Sequence, residues 1–565
     1  MSSHRGTASS PLSATLTTRQ RPAERHLALA AGLAASIPVI VSTIRALAAG
    51  WAPEGDNAVI ATRAYDVLTS LTPLVGPWSS ASTGFTEDTY HAGPMLYWLL
   101  AIPARLPGEA AFPVAMGLLN VAAITGTVAL ARRRGGRALM FATAAVVALM
   151  CASLEAQTFH DIWNPTAPLL AFVLLLFVCW SLACGEYRLL PLAVLLASFA
   201  MQCHLVFVLP SLAVLGAGLG GLIASRRRPR RERTDAASGS LRRWSLAGLL
   251  VATLCWSAPI VDQALGWAGS ERGHGNLENL VDAAQSRKEP AGTTAGAYAV
   301  VRATGVPPWW LRAPPPRAER TFEIFARPSP AAVVSAVIIL LALVVLTVLG
   351  ARRGRPDVVA ANCIALAACA ALGVVTAAFP NTPSTIFSYS YASWWAAPVG
   401  MWTWLVVGWS SFTLWSAARG PAERRTPRIS SAVALAGVVA IGAVVAAVQG
   451  PIRQQRLFDA SRAAARGLES ALPRPGAVRV DSTVLELETA VIHSLRRRGA
   501  DIGAGDVSVQ FDRAYDDRAR RFEHIVYIRH SAVLPPGARR VARGEIGLSR
   551  RLGFSVSLRR DGDVP

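Results

Sequence analysis

Two absences frame this chain: its apolar runs carry almost no charge at their centres, and its polar stretches carry no cysteine. All seven cysteines (Cys151, Cys179, Cys184, Cys203, Cys255, Cys363 and Cys369) fall in or beside apolar runs. The polar stretches therefore offer no disulfide framework and no cysteine-based zinc site. The thiols read as small buried hydrophobes. Charged residues make up only 16% of the 565 residues, against 52% hydrophobic, and the mean hydropathy is +0.37. That composition excludes an ordinary soluble domain, which could not hide so many long apolar runs. A net charge of +21 invites a nucleic-acid partner. The distribution of the charge excludes one, because the basic groups are split by apolar spans instead of forming one patch.

What is present is a repeating alternation of apolar runs and short basic loops. The loops are Arg132–Arg134 with Arg137, Arg226–Arg233, Arg242–Arg243, Arg352–Arg355 and Arg419–Arg428. Placing them in the cytoplasm follows the positive-inside rule. About eleven spans then alternate without conflict, near 27–49, 110–131, 138–155, 166–184, 189–203, 205–224, 243–261, 331–350, 357–378, 393–416 and 430–449. The run 189–224 must fold back at Gln202-Cys203-His204. The first run is too long for an ordinary signal peptide despite Ala46-Leu47-Ala48, and reads as an uncleaved span.

The expected protein is mainly α, a multi-pass plasma-membrane protein with its N-terminus cytoplasmic. Residues 1–26 are expected to be a disordered N-terminus and 27–450 a transmembrane domain with external loops 50–109, 155–165, 262–330 and 379–392. Residues 451–565 read as a small extracytoplasmic α/β domain. Within it Val478-Arg479-Val480 and His524 to Ile528 look like strands, and Thr483 to Arg498 has helical spacing.

Polar chemistry gathers in the first external loop, at Asp56, Arg63, Asp66, Glu87, Asp88 and His91. Positions 56, 60, 63 and 67 share a helical face, so Asp56 and Arg63 project the same way. Arg63 and Asp66 are three apart and are placed to pair with each other; otherwise Arg63 is the best-placed cation for a phosphate. Pro94 suits the first turn of a short helix, and Met95 to Leu100 suit the membrane interface. His91 and His204, at span ends, are candidates for hydrogen bonds to phosphate. The second loop contributes His160-Asp161.

The Gly55-Asp56 pair, the segment His91-Ala92-Gly93-Pro94-Met95-Leu96-Tyr97-Trp98-Leu99, Trp163-Asn164-Pro165 and Gln202-Cys203-His204 together resemble the GT-C superfamily of integral-membrane glycosyltransferases. The likeness is to its RgtA/B/C/D-like and protein-mannosyltransferase-like branch, and to actinobacterial members of that group. It covers residues 27–260 and extends to the remainder in layout only. The chain departs from the family's His-Pro-Pro or Lys-Pro-Pro, reading His91-Ala92-Gly93-Pro94. The resemblance implies a GT-C-like fold and transfer of a sugar from a polyprenyl phosphate to an extracytoplasmic hydroxyl of a cell-envelope glycan, lipid or protein. Asp56 matches the family's first-loop acid and is the expected general base. Asp161 matches its second acidic position, either orienting the acceptor or joining Asp56 around a divalent cation. Carboxylates suit a hard ion such as Mg, and His160 admits Zn or Mn. Glu87, Asp88, His91, His160 and His204 are further candidates for substrate contacts.

Three competing readings belong to other classes. A transporter or lipid flippase would place ionisable groups near the bilayer midplane, where these spans have almost none. An O-antigen-ligase-like or polymerase-like enzyme would work through Arg272, His274 and Arg302 in loop 262–330. A non-catalytic scaffold would present only the C-terminal domain.

Overall fold

The structure, a computed structural model, describes residues 12–82, 88–227, 235–268, 274–285, 289–315, 317–382, 385–418, 430–517, 521–530, 534–546 and 552–561. It is mainly helical, and each expected span has a helix. Among the described residues six helical segments are each long and apolar enough to cross a membrane, or seven counting a bent pair. That pair is Ala23–Ala35, the C-terminal half of helix Leu12–Ala35, and Ile37–Ala48, bent by 52°. Pro38 is the cause, since a proline has no N–H to give and its ring displaces the carbonyl one turn back. The helix begins at Leu12, inside the segment expected to be disordered. The segment continues into the first span, and Glu24 is held there by Arg132 and Arg137.

Spans 110–131 and 138–155 appear as one helical run, Ala111–Met150, with non-helical backbone at Gly135 and Gly136. Gly136 has φ 68°, a conformation natural to glycine. The run is a hairpin, as its contacts demand. Asn120 donates to the Phe159 carbonyl at 3.1 Å. A straight helix would carry Met150 about 45 Å from Asn120, and nine extended residues reach only about 30 Å.

Contacts sort the helices into two ends. At the basic end, Arg133 and Arg134 meet Glu186, Trp180 Nε1 donates to the Asp357 carbonyl at 2.8 Å, and Arg353 donates to that of Leu414 at 2.7 Å. At the other end, Arg45 donates to the Gly450 carbonyl at 2.9 Å and Asn164 to that of Cys203 at 3.1 Å. The Leu205 N–H reaches His91 Nδ1 there at 3.2 Å. The fold-back between Leu190–Cys203 and Val208–Arg227 therefore lies at the end carrying the first loop.

The C-terminal domain follows helix Gln455–Ala471 and holds a five-stranded sheet, in the order β2-β1-β3-β5-β4. The strands are β1 (Ala477–Ser482), β2 (Asp501–Gly503), β3 (His524–Arg529), β4 (Arg539–Ile546) and β5 (Leu552–Arg560). β1 is parallel to β2 and β3, while β5 is antiparallel to β3 and β4. Helix Leu485–Arg497 makes the crossover from β1 to β2, as a parallel pair requires.

Candidate active site

The site begins with two tryptophans and two aspartates that exchange partners between loops. Asp56 lies in the first turn of helix Gly55–Asp66 and is exposed. Its Oδ2 accepts a hydrogen bond of 2.7 Å from Trp163 Nε1 of the second loop. Asp161, two residues before Trp163, is buried, and its Oδ1 accepts one of 2.8 Å from Trp51 Nε1 of the first loop. The loops are thus laced by reciprocal indole–carboxylate bonds, which are strong because the acceptor is charged. Two carboxylates come to one place, one facing water and the other enclosed.

His160 is fully buried behind Asp161. Ser42 Oγ spends its proton on the Ala156 carbonyl at 2.7 Å, so His160 Nδ1 is the donor in its 2.9 Å bond to Ser42. Nε2 is left bare and without a hydrogen-bond partner, 3.6 Å from Asp161 Oδ1. Two acceptors then face each other, a juxtaposition that a proton between them relieves. Burial lowers the His160 pKa, and the Asp161 charge opposes that effect.

A row of rings continues from Trp163. Trp394 packs on it at 5.9 Å and Tyr391 at 4.8 Å, Tyr391 meets His204 at 6.1 Å, and His204 meets His91 at 4.5 Å. Burial pushes the His204 pKa down to about 3; burial, and then His204 itself, push that of His91 down. Both rings are neutral near pH 7. His91 Nδ1 accepts from the Leu205 N–H, which leaves the ring to link the first loop to the fold-back. Gln202 ties the same joint, accepting from the Met95 N–H at 3.4 Å and donating to the Cys255 carbonyl at 2.7 Å. Gly93 is required there: a Cβ would stand 2.6 Å from Gln202 Cδ and 2.8 Å from Pro259 Cγ. Helix Met95–Leu100, expected in the lipid interface, buries Met95, Leu96, Tyr97 and Leu100 in the protein.

On the far side of Trp394 opens a shallow cleft. Arg312, Arg320, Trp309 and Glu323 line it. Arg320 is buried, with its guanidinium 5.5 Å above the Trp394 ring. Arg312 and Trp309 both donate to Glu323 Oε1, at 2.8 and 3.2 Å. Cations and indoles in a cleft two rings away from Asp56 suit an anionic group attached to an apolar chain. Arg312 and Arg320 carry no local signal in the sequence, and only the fold brings them beside Trp394.

Other candidates find structural partners. Arg63 is buried and bonded to Asp66 at 2.8 Å and to the Leu71 carbonyl at 3.0 Å, so it forms the ion pair and does not face the cleft. Asp88 accepts from Arg513 at 2.7 Å. Glu87 lies outside the described residues, as does Arg272. His274 lies 3.5 Å from Glu278, and Arg302 is buried against the carbonyls of Ile324 and Ala326. The ligase-like reading thus loses its candidates among the described residues. No group of three or more His, Cys, Asp or Glu gathers among the described residues in a way that could hold a metal ion. Asp56 and Asp161 each take an indole N–H instead, so this donor set does not fit an all-protein cation site.

No family model matches the chain, and no curated protein sequence matches it. Among solved structures it is similar to ArnT from Cupriavidus metallidurans bound to undecaprenyl phosphate, at 13% identity and a TM-score of 0.45 over 93% of this chain and 97% of that one. It is similar also to the same protein in the apo state, at 13% identity, a TM-score of 0.46 and the same coverage.

Proposed function

We propose that the chain is a membrane glycosyltransferase of the GT-C type, moving a sugar from a polyprenyl phosphate to an acceptor hydroxyl of the cell envelope. The basic end of the bundle would face the cytoplasm and the C-terminal domain the outside. The observation that carries this reading is the exchange of Trp51, Asp56, Asp161 and Trp163 between two loops at one end of the bundle, beside a cationic, aromatic cleft. The exposed Asp56 has the role of general base, taking the proton of the acceptor hydroxyl. The hydroxyl oxygen then bonds to the anomeric carbon, whose bond to the phosphate oxygen breaks. Polyprenyl phosphate leaves with that electron pair, and a single displacement inverts the anomeric centre. Arg320 and Arg312 in the cleft are suited to the charge that grows on the leaving phosphate. The enclosed Asp161 serves as an anchor for Trp51 and the loop.

The test is transfer from a panel of radiolabelled polyprenyl-phosphate sugars to a crude envelope fraction, by purified wild-type and Asp56→Asn protein. Transfer by wild type, reduced at least about a hundredfold in the folded variant, is the expected result for loss of a general base. Equal transfer by both would remove Asp56 from that role. Transport of the lipid-linked sugar without transfer would favour a flippase.

A further inference from the structure

Helix Gly55–Asp66 belongs to the membrane domain by sequence but packs with the C-terminal domain. Gly55, Val59, Thr62 and Asp66 form one stripe along it, at the spacing of a single helical face. Against that stripe lies a second one, Thr489, His493 and Arg496 of helix Leu485–Arg497. Thr489 Oγ1 donates to the Gly55 carbonyl at 3.0 Å, nearer than its own-helix alternative at Glu486, 3.3 Å away. Thr62 Oγ1 and His493 Nδ1 are 3.2 Å apart. Val59 is buried within the apolar core of the C-terminal domain. At the far end the fully buried Asp66 accepts three bonds: from Arg63 at 2.8 Å, Arg496 at 2.8 Å and the Tyr515 hydroxyl at 2.6 Å.

Asp56 stands one residue round from this stripe, on the side that meets Trp163. Sliding or rolling the helix would break the contacts at both ends together. The rest of the loop is pinned to the same domain, Asp88 by Arg513 and the Tyr90 hydroxyl by the Val509 carbonyl at 2.9 Å. Asp512 and Arg513, next to that contact, both hold positive φ (55° and 53°), a cost that packing against the loop sustains.

We propose that the C-terminal domain is a working part of the transfer centre, with Thr489, Arg496 and Tyr515 as positioning residues that hold the helix presenting Asp56. The assignment rests on the glycosyltransferase reading for its catalytic consequence, but its structural half stands alone. A domain that fixes the base in this way gates the chemistry without touching the donor.

The experiment uses the full chain in nanodiscs and compares wild type with Thr489→Val, Thr489→Ser and Tyr515→Phe. Hydrogen exchange of the peptide covering residues 55–66 is followed beside transfer kinetics. Thr489→Val and Tyr515→Phe should speed exchange in that peptide while leaving the sheet strands protected. They should lower kcat about tenfold with the donor KM within about twofold, and Thr489→Ser should restore both readings. Unchanged exchange and unchanged kcat in both variants would overturn the proposal. So would a rise in KM alone, which would mark a donor-binding role. If wild type transfers no sugar at all, the enzymatic reading fails, and the exchange comparison still decides whether the domain holds the helix.

Discussion

At the scale of single residues, the site separates two carboxylates by environment. Asp56 is exposed and accepts from an indole, whereas Asp161 is enclosed between an indole and an imidazole. Phenylalanine at position 163 would keep an aromatic ring against Tyr391 and Trp394 and remove the N–H bonded to Asp56. Trp163→Phe should therefore lower kcat roughly tenfold, the factor that 1.4 kcal/mol of lost orientation produces, at nearly constant donor KM. A variant as active as wild type would show that the indole is packing alone. A second prediction concerns Glu488, buried in the C-terminal domain. Burial, reinforced by Asp481 and opposed by Arg529, raises its pKa to about 7. Between the ordinary carboxylate range and pH 7 the folded chain keeps a proton that the unfolded chain has released. The stabilising contribution is full at low pH and is lost as pH rises through 7. Glu488→Gln fixes the neutral form, so it should melt a few degrees above wild type at pH 8.5 and close to it at pH 4.5. Equal melting at both values would show that the carboxyl is solvated.

At the scale of elements, glycine decides where chains cross. The joint between the first loop and the fold-back closes on Gly93, with Gln202 and Pro259 inside the volume of any added methyl group. Gly93→Ala should cost about 1–3 kcal/mol by overpacking. Gly437, in helix Ser431–Val448, has open space around its Cα, so Gly437→Ala should be neutral or mildly stabilising. Thermal unfolding of the two side by side separates a steric demand from a general intolerance of alanine. Much of this layer was legible in the sequence. Apolar runs marked each spanning helix, and Arg132–Arg137 and Arg352–Arg355 marked turns at one end, whereas Arg242–Arg243 fell inside helix Asp235–Trp267 and Arg419–Arg428 lies outside the described residues. Val478 to Val480 and His524 to Ile528 fell within β1 and β3. β4 was missed because it is arginine-rich and largely exposed, so it lacks the alternating apolar face by which strands are recognised. The Arg63–Asp66 pair was readable from its spacing of three, but not its third and fourth partners. Arg496 and Tyr515 lie more than 400 positions away, and no local pattern reports a contact of that range. The same holds for Trp163 on Asp56 and Arg320 on Trp394, which depend on how loops fold over one another.

For the whole molecule, the central relation is between charge and direction. Among the described residues, Arg132–Arg134, Arg137, Arg226 and Arg352–Arg355 fall where helices turn at one end, and the candidate site, the fold-back and the C-terminal domain share the other. Transfer of lipid-linked sugar outside the membrane requires the basic end to be cytoplasmic, which loop charge also favours. Single cysteines can read that orientation in intact cells. Arg353, in the turn between Pro330–Arg352 and Pro356–Ala378, is exposed at the basic end. Arg539, opening β4, is exposed on the sheet domain. A membrane-impermeant maleimide should label Arg539→Cys in intact cells and Arg353→Cys only after lysis. Of the native thiols five are buried, Cys184 is half-buried and Cys363 lies within the apolar helix Pro356–Ala378, so the unsubstituted protein sets the background. Labelling of Arg353→Cys in intact cells would invert the bundle. Asp56 would then face the cytoplasm, where nucleotide sugars are at hand, and the argument for a polyprenyl-phosphate donor would lose its footing. Orientation is therefore the premise on which donor chemistry depends, and it can be tested before any sugar is identified.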